Sequence, residues 1–160
     1  MTTPSPDTAP VLTSLPTDRE LVLKVIPMPA DCNANGDIFG GWVMAQVDLA
    51  GSVLPVRVVG GRIATVAVKE FIFKQPVRVG DLLSFYARIS RIGRTSISVE
   101  VECFAERAFS HGQFVKVTEA TVTYVAIDEN GQPTPSKLTL RSETSVDASA
   151  GLPAASHHAM

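Results

Sequence analysis

Gly40-Gly41-Trp42-Val43-Met44-Ala45-Gln46-Val47-Asp48-Leu49-Ala50 is the stretch that decides the fold. It lacks the every-second-residue alternation of a strand and is long enough for a helix. Its residues are apolar on nearly all sides, which predicts a helix buried in the protein instead of one lying on the surface. Pro55 marks its last turn or a kink, because proline removes a backbone donor and crowds the preceding turn.

Outward from this run, the chain reads as strands. Leu21–Ile26 is a first strand, and Pro27, Pro29 and the Asn33–Gly36 cluster make the next segment a loop. After the helix come Arg62–Phe73, Leu82–Ile92, Thr95–Phe104 and Phe114–Ile127, separated by Lys74-Gln75-Pro76, Gly80-Asp81 and Gly93-Arg94. In the run from Thr95, the residues Ile97, Val99, Val101 and Cys103 alternate with Ser98, Glu100 and Glu102, giving one dry and one wet face. Alternation falters near Thr118-Glu119, where a bulge is expected. A single helix that is apolar all round needs a sheet curled about it. The expected fold is therefore α+β: a hotdog roll, with a curved antiparallel sheet wrapped around one long central helix.

Composition bounds the rest. The 160 residues suit one domain, 45% of them are hydrophobic, and only 19% are charged, so partner subunits are expected to cover part of the surface. The net charge of −2 gives no reason to expect nucleic acid or an anionic membrane as a partner. Residues 1–17, with four prolines, read as a disordered leader; residues 136–160, rich in Ser, Ala and Thr, read as a flexible tail; the domain is placed at 18–135. No basic region followed by an apolar stretch opens the chain, and the weakly charged run Ile38–Val56 holds Asp48, Gln46, Ser52 and Pro55, a poor membrane span. Cys32 and Cys103 have no CxxC partners and read as reduced thiols, which makes the cytoplasm the expected compartment. His111, His157 and His158 lack ligand spacing with Cys or carboxylates, so no metal site is indicated. No serine has a nucleophile-elbow context.

The chemistry concentrates around the helix. Between Asp37 and Arg57 the one formal charge is Asp48, and a carboxylate on an oily helix is expensive unless paired or used. The bland alternative is an Asp bonded to nearby backbone or standing at a wet edge. Asn35-Gly36-Asp37-Ile38-Phe39-Gly40-Gly41 places two glycines where the helix begins. Unpaired N–H groups and the positive dipole end meet there, and glycine lets a ligand oxygen approach the backbone. The bland alternative is a glycine turn that lets the helix pack closely. Asp48 lies two turns further along on the same broad face, so one element is expected to supply both an oxyanion donor and a base.

The run from Asp31 to Asp48, Asp31-Cys32-Asn33-Ala34-Asn35-Gly36-Asp37-Ile38-Phe39-Gly40-Gly41-Trp42-Val43-Met44-Ala45-Gln46-Val47-Asp48, resembles the signature of the YciA-type acyl-CoA thioesterases, relatives of the eukaryotic cytosolic acyl-CoA hydrolases. The likeness continues through Arg62–Val68, Pro76–Asp81, Ile92–Ile97 and Thr123–Asp128. It implies an acyl-CoA hydrolase in which Asp48 is the catalytic carboxylate and Gly41 N–H polarises the thioester carbonyl. Asp37 would line the site, with Asn35, Phe39 and Gly40 beside it. Phe39 departs from the His-Gly-Gly of other hotdog branches, so no histidine role is carried over. The resemblance further implies sites built across a dimer, with Thr65 from the partner chain as a candidate, and dimers assembled as a hexamer. Gly93, Arg94, Thr95 and Ser96 are candidates for the coenzyme A phosphates, with Arg62 and Lys74 given lower weight. No cofactor is expected beyond coenzyme A as part of substrate and product. Two rivals stand beside this reading: a hydratase, which needs a histidine near the helix, and a non-catalytic acyl-CoA sensor.

Overall fold

The computed structural model of the chain describes residues 13–136. The expected leader, except its last residues, and nearly all of the expected tail lie outside the described residues. Five strands and one helix follow in order: β1 (Glu20–Val25), α1 (Gly40–Val59), β2 (Ile63–Phe73), β3 (Leu82–Ile92), β4 (Ser96–Glu106) and β5 (Phe114–Ala126). The strands form one antiparallel sheet in the order β1-β3-β4-β5-β2. Helix α1 leaves the β1 edge, crosses one face and re-enters the sheet at the β2 edge. It touches all five strands, which requires a sheet that curls about it. This is the hotdog architecture.

The core lies between helix and sheet. Leu83, Phe85 and Ala87 from β3 and Ile97, Val99, Val101 and Cys103 from β4 point inward at every second position. In β5 the buried set runs Val115, Val117, then Ala120, Val122, Tyr124, so its parity switches. The cause is the expected bulge: Cys103 pairs with Thr118 but Phe104 pairs with Lys116, leaving one extra residue on β5. The hydroxyl of the buried Thr118 donates to the Ile72 carbonyl (2.6 Å), so the irregular strand leaves it satisfied. A second bulge on β2 puts Glu70 at φ 53°, between the rungs Lys69–Thr121 and Ile72–Glu119.

The helix corrects one expectation. Its own sheet covers a single stripe, Val43, Val47, Ala50, Gly51, Pro55 and Val59, at the spacing of one helical face. Leu49 and Val56 stand exposed on the other side, and Met44 is exposed near the start of the helix. By length and hydropathy alone α1 could cross a membrane, a test that the core helix of a soluble protein also passes. Here it serves as the core helix of the roll, with its second apolar face left bare. Pro55 sits inside the helix without ending it, and Gly60 closes it in the left-handed conformation (φ 60°), its N–H bonding the Val56 carbonyl at 2.9 Å.

Candidate active site

The start of α1 is clamped from both sides. Ile38 N–H donates to the Val77 carbonyl (2.9 Å), Asp37 bridges Arg78, and Phe39 N–H bonds the Asp31 carbonyl (3.0 Å). Asn33 Oδ1 accepts from the N–H groups of Asn35 (2.9 Å) and Asp37 (3.2 Å), an Asx-type turn that aims the chain into the helix. Phe39 is the N-cap and offers no side-chain bond, and the first N–H to find an i−4 carbonyl is that of Val43 (3.2 Å). The amides of Gly40, Gly41 and Trp42 therefore form an uncapped positive helix end.

The two glycines separate here. A Cβ on Gly40 would come 3.1 Å from Phe73 Cζ, so close packing explains that glycine. A Cβ on Gly41 would meet nothing within 4 Å. Space for a ligand oxygen therefore opens over Gly41, the position that the family resemblance marks as oxyanion donor. A cavity of about 350 Å³ borders this end, walled by Ile38, Val43, Phe73, Lys74, Pro76 and Val77 among others.

Asp48 is half-buried on the flank of α1 that meets β2. Thr65 Oγ1 donates to its Oδ1 (2.8 Å), and this Thr65 belongs to the same protomer. The expectation that Thr65 arrives from a partner chain is corrected: β2 folds back along α1 and brings it there directly. No ion pair holds Asp48 among the described residues, so it is not the structural carboxylate of a salt bridge. Tyr124 Oη donates to the main-chain carbonyl of Asp48 (2.8 Å), a contact the sequence reading missed. Burial, and secondarily the charge of Asp48, push the Tyr124 phenol well above its ordinary pKa, so it stays a donor. Two signals were available: an inward tyrosine whose hydroxyl needs a partner, and Gly51 in mid-helix, a poor helix former kept for some reason of packing.

The candidates divide into two groups. Thr65, Tyr124 and Ile97 stand on one rung across three strands, so the Gly93–Ser96 turn begins about 10 Å from Thr65, at the spacing of two strands. That turn is braced by Gly93 N–H to the Ser96 carbonyl (2.7 Å), Ala126 N–H to the Thr95 carbonyl (2.8 Å) and Ser136 N–H to the Arg94 carbonyl (3.0 Å). A Cβ on Gly93 would lie 2.8 Å from Ser96 Oγ, so a side chain there would have to turn that hydroxyl aside. The Arg94 side chain remains exposed. Gly41, Asp37, Asn35, Phe39 and Lys74 gather at the other end. Arg62 Nη1 is spent on the carbonyls of Asp128 (3.4 Å) and Glu129 (3.1 Å), and Lys74 pairs with Glu119 (3.1 Å). Gly41 and Asp48 are seven residues apart, about 10 Å along a helix. That separation is too long for both groups to reach one carbonyl from the same copy of the helix.

This arrangement, one long α-helix in a five-stranded roll with a half-buried carboxylate on its flank, is that of a hotdog thioesterase. Residues 35–109 match the model of the Thioesterase superfamily. The acyl-CoA thioester hydrolase YciA of Salmonella typhimurium is 48% identical over 118 residues, covering 72% of this chain and 89% of that protein. A hexameric thioesterase from Yersinia pestis superposes with a TM-score of 0.73 at 44% identity, covering 76% of this chain and 98% of the other. A hexameric broad specificity acyl-coenzyme A thioesterase, in an aspartate-to-alanine form, gives 0.71 at 37% identity, with 78% and 96% covered. The chain belongs to the YciA-type acyl-CoA thioesterases.

Proposed function

We propose that the protein hydrolyses acyl-CoA to a free acid and coenzyme A at a site shared by two protomers, Asp48 coming from one and the Gly41 N–H from the other. The observation that carries this is the spacing on α1: its half-buried carboxylate and its open amide stand about 10 Å apart on one helix. A second copy, packed on the bare face that carries Leu49 and Val56, supplies the missing half. Asp48, oriented by Thr65, takes a proton from water as it attacks the thioester carbonyl, and Gly41 N–H steadies the oxyanion. The tetrahedral intermediate expels the coenzyme A thiolate, which is protonated. In the alternative route Asp48 attacks directly and the resulting anhydride is hydrolysed. Asp37 lines the Gly41 end, and the Gly93–Ser96 turn with exposed Arg94 receives coenzyme A phosphates.

Asp48→Asn is the test: thiol release from a panel of acetyl- to palmitoyl-CoA should fall by about 10²–10⁴-fold. Unchanged turnover refutes both routes, and coenzyme A binding by the wild type without turnover of any ester establishes a sensor instead. Uptake of oxygen-18 into the protein in a single turnover distinguishes anhydride from general base. Relatives described as hexameric and the bare helix face support a trimer of dimers; sedimentation of an active, stable monomer would refute it. The broad specificity of one relative supports a permissive acyl pocket, and the two free cysteines support a cytoplasmic setting.

A further inference from the structure

The grip on Asp48 comes from one cross-strand pair. Thr65 of β2 and Tyr124 of β5 are partners in register, so both side chains emerge on the helix side. Thr65 holds the carboxylate, and Tyr124 holds the main-chain carbonyl of the same residue. One bond of the helical ladder is missing just beyond this carbonyl. Pro55 has no N–H to give the Gly51 carbonyl, and Ser52 Oγ is turned back onto the Leu49 carbonyl (2.7 Å). Gly51 exists to admit the phenol: a Cβ there would lie 2.4 Å from Tyr124 Oη, with Tyr124 Cζ and Val101 Cγ2 each at 3.3 Å. The tyrosine is 1% exposed, so its ring has nowhere to retreat.

We propose that Tyr124, admitted by Gly51, is a positioning residue for hydrolysis: it locks the helical turn that carries Asp48 at the height where Thr65 orients the carboxylate. This rests on Asp48 being the reacting carboxylate. Tyr124 touches no substrate and acts only through Asp48.

The test uses the full chain and whichever acyl-CoA ester is turned over fastest. Tyr124→Phe removes one oxygen and keeps the ring. It should lower kcat about tenfold with KM within about twofold of wild type, since positioning affects the chemical step and not substrate binding. Gly51→Ala, which forces the hydroxyl away, should lower kcat further, about 30-fold or more. In the Gly51→Ala/Tyr124→Phe double variant the clashing atom is gone, so kcat should return to within about threefold of Tyr124→Phe alone. Wild-type kcat in Tyr124→Phe overturns the proposal, as does a loss confined to KM or a double variant as slow as the product of the singles. If Gly51→Ala does not fold, the kcat-against-KM split in Tyr124→Phe still decides. Asp48→Asn is run alongside: full activity there sinks the reading of Asp48 itself, whereas an inactive Asp48→Asn with an unimpaired Tyr124→Phe sinks only the role of Tyr124.

Discussion

Replacing Arg107 by alanine should damage this protein far more than its place beside a surface turn suggests. Asp81 is 2% exposed and sits just after Gly80, whose φ of 92° makes the tight turn into β3. Its Oδ2 accepts from Arg107 Nη1 and from Arg78 N–H (2.8 Å), while Arg107 Nη2 donates to the Pro76 carbonyl (3.0 Å). Removing the guanidinium leaves a buried carboxylate with one backbone donor and strips the Pro76 carbonyl as well. Breaking a buried pair from one side costs about 3–5 kcal/mol. For a domain of this size that lowers Tm by about 10–20 °C. Circular dichroism melts and guanidinium midpoints, at equal protomer concentration, measure it. The same loop holds Ile38 and Asp37 at the start of α1, so kcat should fall too as the Gly41 amide loses its anchor. The double variant Asp81→Leu/Arg107→Met, which removes both charges, should be much more stable than Arg107→Ala. A loss under about 1 kcal/mol for Arg107→Ala, below what an unsatisfied buried group costs, refutes the reasoning.

Thr65→Val keeps the shape of the side chain and deletes the bond to Asp48 Oδ1; kcat should fall about tenfold while coenzyme A binding, followed by calorimetry, is unchanged. Arg94→Ala should raise KM for acyl-CoA about 5–10-fold, with little change in kcat, and the effect should shrink in high salt. Glu119 has its pKa lowered chiefly by the hydrogen bond from Lys116, with Lys74 adding to it. A folded value below the unfolded one makes its stabilisation present above the unfolded pKa and lost as pH falls through the folded pKa. Glu119→Gln should thus be less stable than wild type at pH 7, and the gap in denaturant midpoints should close below about pH 4. A gap that does not narrow as the pH falls below the unfolded pKa contradicts the ion-pair origin.

Much of this was legible in the chain. The boundaries of β3 were read correctly, and the bulge near Thr118 was foreshadowed by broken alternation, because side-chain parity is a local property. The chain singles out Gly41 and Asp48, yet seven residues of helix place two groups on one face without bringing them to one atom. What the sequence withheld depends on long-range pairing. Nothing local assigns Arg62 to the Asp128 and Glu129 carbonyls, Lys74 to Glu119, or Thr65 to the aspartate of its own protomer. The Tyr124–Gly51 fit likewise joins residues 73 positions apart, and only register brings them together.

The all-round apolar character of α1 has two physical causes, and the sequence could show only their sum. Val43, Val47, Ala50 and Val59 are dry because the sheet of the same chain covers them. Leu49 and Val56, two turns apart on one face, have no such cover, and exposed large apolar groups on a helix face favour a partner surface over water. Asp48 lies at the boundary between these stripes, where folding leaves it half-exposed and association would dry it. A carboxylate that entered a packed core on folding would need a counter-charge, and Asp48 has none among the described residues. At that boundary it stays hydrated in the single protomer; in the shared site proposed above, a second helix would close over it and give it a low-dielectric setting, where electrostatic help to a developing oxyanion is strongest. Assembly and activity would then share one cause: the surface that drives pairing is the one that completes the reaction site.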